Sequence, residues 1–284
     1  MSHGILHQAC PPWLIDTVGG LRTFGWRTYP THAAAAGGEG NGYASPAVAE
    51  FVVSRARRLF EDPSFDATST LGSSAVLSLL LLGCVRRRPL HVIDFGGGTG
   101  LHGLAARGLL GDPESIRWSV VETPDMVQML SALRLPGVAF FSSVEAAREA
   151  VGEVHVVFCS GTIHYLSNGL DWLGRFAELG PEAICLSRVP LAGSGRTRFL
   201  RQNARLCDHG LGPLPHPVPK VRVPHAMALF PRGQVLNAVP RPYHLAIDLA
   251  DPVERVVFLG RAYPFHHLFF RRAEAYKVSN VSAS

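Results

Sequence analysis

The sequence predicts an α/β fold: a mostly parallel, seven-stranded sheet with helices on both faces, preceded by an N-terminal helical cap. Three observations carry that expectation. From residue 90 onward, short apolar runs alternate with helical patterns, as βα units do when their strands are buried on both faces. The first run ends in Gly96-Gly97-Gly98-Thr99-Gly100, a turn that lets backbone approach a ligand at a helix N-terminus. Hydrophobic residues make up 47% of the 284 residues and charged ones 17%, enough apolar surface for a sizeable core and too much for global disorder.

In chain order, residues 1–44 read as an irregular surface wrap, rich in Gly and Pro and punctuated by Trp13, Phe24, Trp26, Tyr29 and Tyr43. Ser45-Pro46 opens a helix, Ser as N-cap and Pro at the first helical position. Val48, Phe51, Val52 and Leu59 share one face of it. Glu61–Thr70 reads as a loop and Ser73–Val85 as a second, more apolar helix. As a helix, the stretch from Leu71 to Val85 would span only about 22 Å against a hydrocarbon core of about 30 Å, so it is read as a buried core helix. Wrap and cap take residues 1–88.

The core, residues 89–272, offers strands at His91–Phe95, Ile116–Glu122, Val138–Ser142, Val154–Cys159 and Ala183–Val189. Helices fall between them at Leu101–Leu110, Pro124–Leu133, Val144–Val151 and Leu170–Leu179. Thr123-Pro124 repeats the cap-and-proline signature, and Gly180-Pro181 stops the fourth helix. Residues 190–232 are proline-rich and read as a long connection. A short helix at Gln234–Val239 and strands at His244–Leu249 and Phe265–Arg271 complete the sheet. The polar tail, 273–284, is expected to fray.

Composition excludes several classes. The formal charge of +5 and pI near 9.2 come from arginine, since Lys220 and Lys277 are the only lysines. With abundant Ala and Gly, that bias reads as GC-rich coding rather than a phosphate-binding surface, and no nucleic-acid partner is expected. Five widely spaced cysteines without a C-x-x-C pair point to a reducing, cytoplasmic setting and away from a zinc site. No signal peptide or membrane partner is expected; a homodimer is left open.

The glycine turn fits two templates. Asp94-x-Gly96-x-Gly98-x-Gly100 matches the first motif of S-adenosylmethionine enzymes; Gly98-x-Gly100-x-x-Gly103 matches the dinucleotide fingerprint, with Glu122 at the expected distance to accept from ribose hydroxyls. Asp94 favours the first. A carboxylate at this turn repels a pyrophosphate but suits the sulfonium and ammonium groups of S-adenosylmethionine.

Asp94-Phe95-Gly96-Gly97-Gly98-Thr99-Gly100, the strand ending Trp118-Ser119-Val120-Val121-Glu122-Thr123, and Ser160-Gly161-Thr162-Ile163-His164-Tyr165-Leu166 together resemble a family of uncharacterised bacterial methyltransferases. That family carries D-F-G-G, W-x-V-V-E and S-x-L-Q-Y-L-like segments. The likeness extends to Gly42-Tyr43, the stretch from Arg196 to Asn203, and the stretch from His267 to Arg272. It implies a class I, Rossmann-like methyltransferase with S-adenosyl-L-methionine as cofactor and S-adenosyl-L-homocysteine as product. It implies cofactor contacts from Asp94, Gly96, Gly97, Gly98, Gly100, Glu122, Thr123 and Ser160. Two departures stand out: His164 replaces a common glutamine, and Ser142 stands where many such enzymes place an acidic residue toward the adenine amino group.

Methyl transfer is an in-line displacement that chiefly needs alignment and exclusion of water, with a base where the acceptor holds its proton tightly. His164 is the candidate base, weighed evenly against a packed histidine. Tyr165 lies beside it, and Tyr43 at the cap entrance is a weaker candidate for closing the acceptor pocket. His225, His244, His266 and His267 show no ligand spacing, and no metal is expected. The expected acceptor is a small molecule or saccharide, methylated on O or N. The alternatives are an NAD(P)- or flavin-dependent oxidoreductase and a non-catalytic S-adenosylmethionine-binding protein. No N-P-P-Y-like segment, Pro-Cys pair or G-x-S-x-G elbow is present.

Overall fold

The computed structural model describes residues 21–37, 42–85, 87–110 and 113–273; Cys10, Trp13 and the tail beyond 273 lie outside the described residues. Leu21–Tyr29 forms strand β1 and His32–Ala36 helix α1, where the Thr31 hydroxyl accepts from the Ala34 N–H. A single 3₁₀ turn covers Gly42–Ala44. Helix α2, Pro46–Phe60, begins where the Ser-Pro signature places it, although Ser45 makes no side-chain capping bond. The expected loop 61–70 contains a short helix, α3 (Ala67–Thr70), because the Asp66 carboxylate caps it through the Thr68 and Ser69 N–H groups. Helix α4, Ser73–Leu80, tightens into a 3₁₀ turn over Leu81–Cys84.

The βα alternation follows as expected. It runs β2 (Leu90–Phe95), α5 (Leu101–Leu109), β3 (Ile116–Val121), α6 (Pro124–Leu130), β4 (Val138–Phe141), α7 (Val144–Val151), β5 (Val156–Ser160), α8 (Asp171–Glu178) and β6 (Ala183–Ala192). These strands pair in parallel in the order β4-β3-β2-β5-β6. Alternation along each strand sorts its side chains onto two faces. Ile93, Val157, Cys159, Ile184 and Leu186 pack with Val144 and Ala147 of α7 and Leu173 and Phe176 of α8. On the other face, Val92, Trp118, Val156, Phe158 and Cys185 pack with Leu79 of α4 and Ala105 and Ala106 of α5.

The remaining elements are β7 (Arg198–Arg205), β8 (Arg222–Pro231), α9 (Arg232–Ala238), β9 (Tyr243–Phe258) and β10 (Arg261–Arg272). Strand β10 pairs antiparallel with both β6 and β9, completing the seven expected strands. Three further strands correct the sequence reading. Residues 190–232 are not one long connection: β7 and β8 form an antiparallel pair with Arg198 opposite Leu229 and Arg205 opposite Arg222. The N-terminal segment is not irregular over 21–29 either, since β1 pairs with β7 and β9. Among the described residues the sheet therefore has 10 strands. Prolines disguised the hairpin: Pro213, Pro215, Pro217 and Pro219 lie in the loop between β7 and β8, and Pro224 and Pro231 lie near the ends of β8.

The pairings close a ring, β6-β10-β9-β1-β7-β8 and back to β6 through Leu191 and Ala192. The ring has its own core of Leu200, Met227, Leu229, Val256, Phe258 and Phe265. It stands at the C-terminal end of β6, against which Tyr165 packs. Helix α2 joins α6 and the start of β8 through Val48, Val52, Met126, Leu130 and Val223. No helix among the described residues is long and apolar enough to cross a membrane.

Candidate active site

Strand β2 delivers Asp94 to the base of the glycine turn, where its side chain is wholly buried. Oδ2 accepts a 2.9 Å hydrogen bond from the Trp118 indole N–H on neighbouring β3. Oδ1 is buried without a hydrogen-bond partner among the described residues. A methyl group on Gly97 would come within 2.3 Å of Oδ2, so the carboxylate lies directly beneath the turn, an approach only glycine permits there.

Glu122, one residue past β3, meets the turn from the side. Its carboxylate accepts from the Gly98 N–H at 2.9 Å and from the Thr123 N–H at 3.0 Å. Burial pushes its pKa up; the two N–H donors oppose that shift and the Asp94 charge adds to it. A carboxyl whose folded pKa exceeds its unfolded value binds its proton more tightly when folded. Its contribution to stability is therefore lost as pH rises from the ordinary value of 4.5 through the raised one. Thermal melts across this interval should show the wild type losing stability relative to Glu122→Gln as pH rises; parallel curves would show no such coupling.

Thr123 caps α6 by position, without a side-chain capping bond. Ser142 lies exposed just past β4. Ser160 ends β5 with its hydroxyl buried and without a hydrogen-bond partner among the described residues. The loop after it is tied to the turn, because the Thr162 hydroxyl lies 3.3 Å from the Gly96 carbonyl and 3.2 Å from the Ser160 carbonyl.

A 3₁₀ turn, Ile163–Tyr165, then presents the candidate catalytic side chains. His164 is 1% exposed, its ring 4.3 Å from that of Tyr165 and 5.9 Å from that of Phe265. The Tyr165 hydroxyl donates to Gln202 Oε1 at 2.9 Å. Tyr43 lies 5.0 Å from Tyr165 between ring centroids and stacks on His225 at 4.5 Å and 27°. His225 and His209 approach Nε2 to Nε2 at 3.0 Å, one nitrogen donating and the other accepting. The structure thus gathers Tyr43, His164 and Tyr165 and adds Gln202, His209 and His225, which the sequence reading did not select. Nothing local marks those three, since each comes from the β7–β8 hairpin or the loop it encloses.

A second polar cluster lies inside the sheet. The Ser187 hydroxyl sits 3.0 Å from His267 Nδ1, and His267 Nε2 sits 3.4 Å from Asp251 Oδ2. The connectivity is that of a serine hydrolase triad, but Ser187 is wholly buried, so its hydroxyl cannot meet a substrate. Burial lowers the His267 pKa, against the opposing pull of Asp251. His266 turns the other way, to Asp248 at 2.6 Å, as alternation predicts. Among the described residues no three His, Cys, Asp or Glu side chains converge as a metal site; Cys84, Cys159, Cys185 and Cys207 are free thiols.

No family model matches the chain, and no curated protein matches it. Among solved structures it is similar to the N-terminal domain of EvdMO1 with S-adenosylhomocysteine bound, at 12% identity and a TM-score of 0.48 over 79% of this chain and 97% of that one. It is also similar to the glycopeptide N-methyltransferase MtfA, at 11% identity and a TM-score of 0.48 over 71% and 91%. A third is the 1,6-didemethyltoxoflavin-N1-methyltransferase of Burkholderia thailandensis, at 14% identity and a TM-score of 0.46 over 82% and 89%. Likeness at this level assigns no activity. The fold itself, a mostly parallel Rossmann-like sheet covered by helices on both faces, rests on the strand order and packing described above.

Proposed function

We propose that the chain is an S-adenosylmethionine-dependent methyltransferase acting on an O or N of a small-molecule or saccharide acceptor. The observation that carries this reading is the Asp94 carboxylate, buried beneath the glycine turn with one oxygen held by Trp118 and the other unpaired. The His102 imidazole lies 3.7 Å from Oδ2 and makes no hydrogen bond to Oδ1; a pyrophosphate against this turn would meet the carboxylate's negative charge, whereas a cationic group would be stabilised by it. The residues fit the cofactor. Two buried polar atoms, Asp94 Oδ1 and Ser160 Oγ, are left to be satisfied, and Glu122 offers acceptor oxygens beside Gly98.

In this reading Gly96, Gly97, Gly98 and Gly100 give backbone access, Glu122 and Thr123 hold the ribose, and Ser142 serves the adenine edge. Asp94 and Ser160 hold the amino-acid end. The bound cofactor supplies an electrophilic methyl group on a sulfonium. The chain's own contribution is alignment and exclusion of water by the Ser160–Tyr165 loop and Tyr43. His164, 1% exposed between Tyr165 and Phe265, takes the acceptor proton once one of those rings moves aside to admit the acceptor.

Calorimetry with S-adenosylhomocysteine and with NAD(P) tests the cofactor. Binding of S-adenosylhomocysteine is expected, and binding of the dinucleotide alone would overturn the assignment in favour of an oxidoreductase. Labelled methyl transfer to a candidate acceptor separates an enzyme from a non-catalytic binder. Turnover undiminished in His164→Ala would remove the base role.

A further inference from the structure

We propose that the methyl acceptor is a planar aromatic or heteroaromatic molecule, seated on the ring cluster of Tyr43, Tyr165, His209 and His225; this rests on the methyltransferase reading above. The four rings come from four separate segments of the chain and meet in the two geometries that aromatic quadrupoles favour. Tyr43 is stacked on His225, and it meets Tyr165 and His209 edge-on at 5.0 and 5.3 Å. His209 and His225 also contact each other edge-on at 4.6 Å. Exposure falls steeply through the cluster, from Tyr43 at 46% to His209 at 5% and His225 at 2%. The arrangement is a stack with a buried imidazole base and one exposed phenol ring on top.

The cluster is also held in place, which is what a binding surface requires and a loose surface aromatic does not. The buried Arg55 guanidinium donates to the backbone carbonyls of Cys207, His209 and Gly212, fixing the segment that carries His209. Tyr165 is locked at both ends, its hydroxyl on Gln202 and its carbonyl 2.8 Å from His32 Nε2. Tyr165 stands on the loop after β5, which is tied to the cofactor turn. It lies three residues beyond Thr162, whose hydroxyl reaches the Gly96 carbonyl, and next to His164, whose ring is 4.3 Å from its own. The imidazole pair beneath Tyr43 is itself joined Nε2 to Nε2 at 3.0 Å, which fixes the base of the stack.

A matched pair of probes tests this: 2-naphthol and its saturated counterpart decahydro-2-naphthol, alike in outline and hydroxyl but not in π character. Binding of each is measured by ligand-observed NMR titration, with and without S-adenosylhomocysteine, to the full chain and to Tyr43→Phe and Tyr43→Ala. Wild type should bind the naphthol about fivefold more tightly than the saturated alcohol, the size expected of one ring–ring contact. Tyr43→Phe should keep that preference and Tyr43→Ala should lose it. Absence of binding by both probes, equal affinities in wild type, or a preference that survives in Tyr43→Ala would each overturn the proposal. Failure of S-adenosylhomocysteine to bind the same samples would instead remove the methyltransferase reading, so the two failures are told apart.

Discussion

Gly96→Val is expected to destabilise the protein by about 3–5 kcal/mol, the sum of backbone strain and overpacking at one site. Gly96 has φ 69°, a region β-branched residues avoid, and an added Cβ would lie 2.3 Å from Thr162 Oγ1 and 2.4 Å from its methyl carbon. Neither partner is free to yield. The Gly96 N–H is held by the Val121 carbonyl at 2.8 Å, and the Gly96 carbonyl is tied to Thr162. Urea unfolding reads the effect. Thr162→Gly placed in the same chain should recover part of the loss by clearing the contact, leaving the strain of the positive φ. A loss below about 1 kcal/mol in Gly96→Val would show that the turn and the loop after β5 are not locked together.

That lock explains which parts of the site could be read from sequence. Asp94, the glycines and Glu122 are legible because their geometry is local: each lies at the end of a strand whose apolar run announces it. Trp118 was within reach too. It sits two residues before Val120, the register partner of Asp94, so alternation puts all three on one face. The hairpin of β7 and β8 was not legible. Leu200 and Ala204 are the buried positions of β7, too sparse between arginines and polar residues for a period of two to stand out, and the prolines that follow look like a connection. Because Gln202, His209 and His225 depend on that hairpin, the wall of the site facing Tyr43 disappeared with it. Strand β1 was lost for a related reason: its partners are β7 and β9, far along the chain, and pairing rather than its own apolar pattern makes it a strand.

The closed ring of strands gives this extra layer a mechanical role. In the seven-stranded part, β6 would end as an open edge beyond its pairing with β10, near the loop that carries His164. Pairing Leu191 and Ala192 of β6 with Phe230 and Pro231 of β8 continues the sheet past that edge and brings Gln202 to the Tyr165 hydroxyl. Functional side chains on a loop need such a second support to keep their rotamers fixed, as the proposed roles of His164 and Tyr165 would require.

Asp94→Asn is expected to weaken S-adenosylmethionine binding by roughly tenfold to a hundredfold, the worth of about 1.5–3 kcal/mol for a hydrogen bond to a charged group. The fold should tolerate the change, because the amide oxygen can still accept from the Trp118 indole N–H that now holds Oδ2. Asp94→Leu should not be tolerated in the same way, since it strands that buried donor. Comparing S-adenosylmethionine with S-adenosylhomocysteine then locates the charge that Asp94 serves. Both ligands carry the ammonium group but only the first carries the sulfonium. Equal losses assign the carboxylate to the ammonium end; a larger loss for S-adenosylmethionine assigns it to the sulfonium. Unchanged affinity for both in a folded Asp94→Asn would mean that the buried carboxylate serves only Trp118 and the turn, and the charge argument for the cofactor would fall with it.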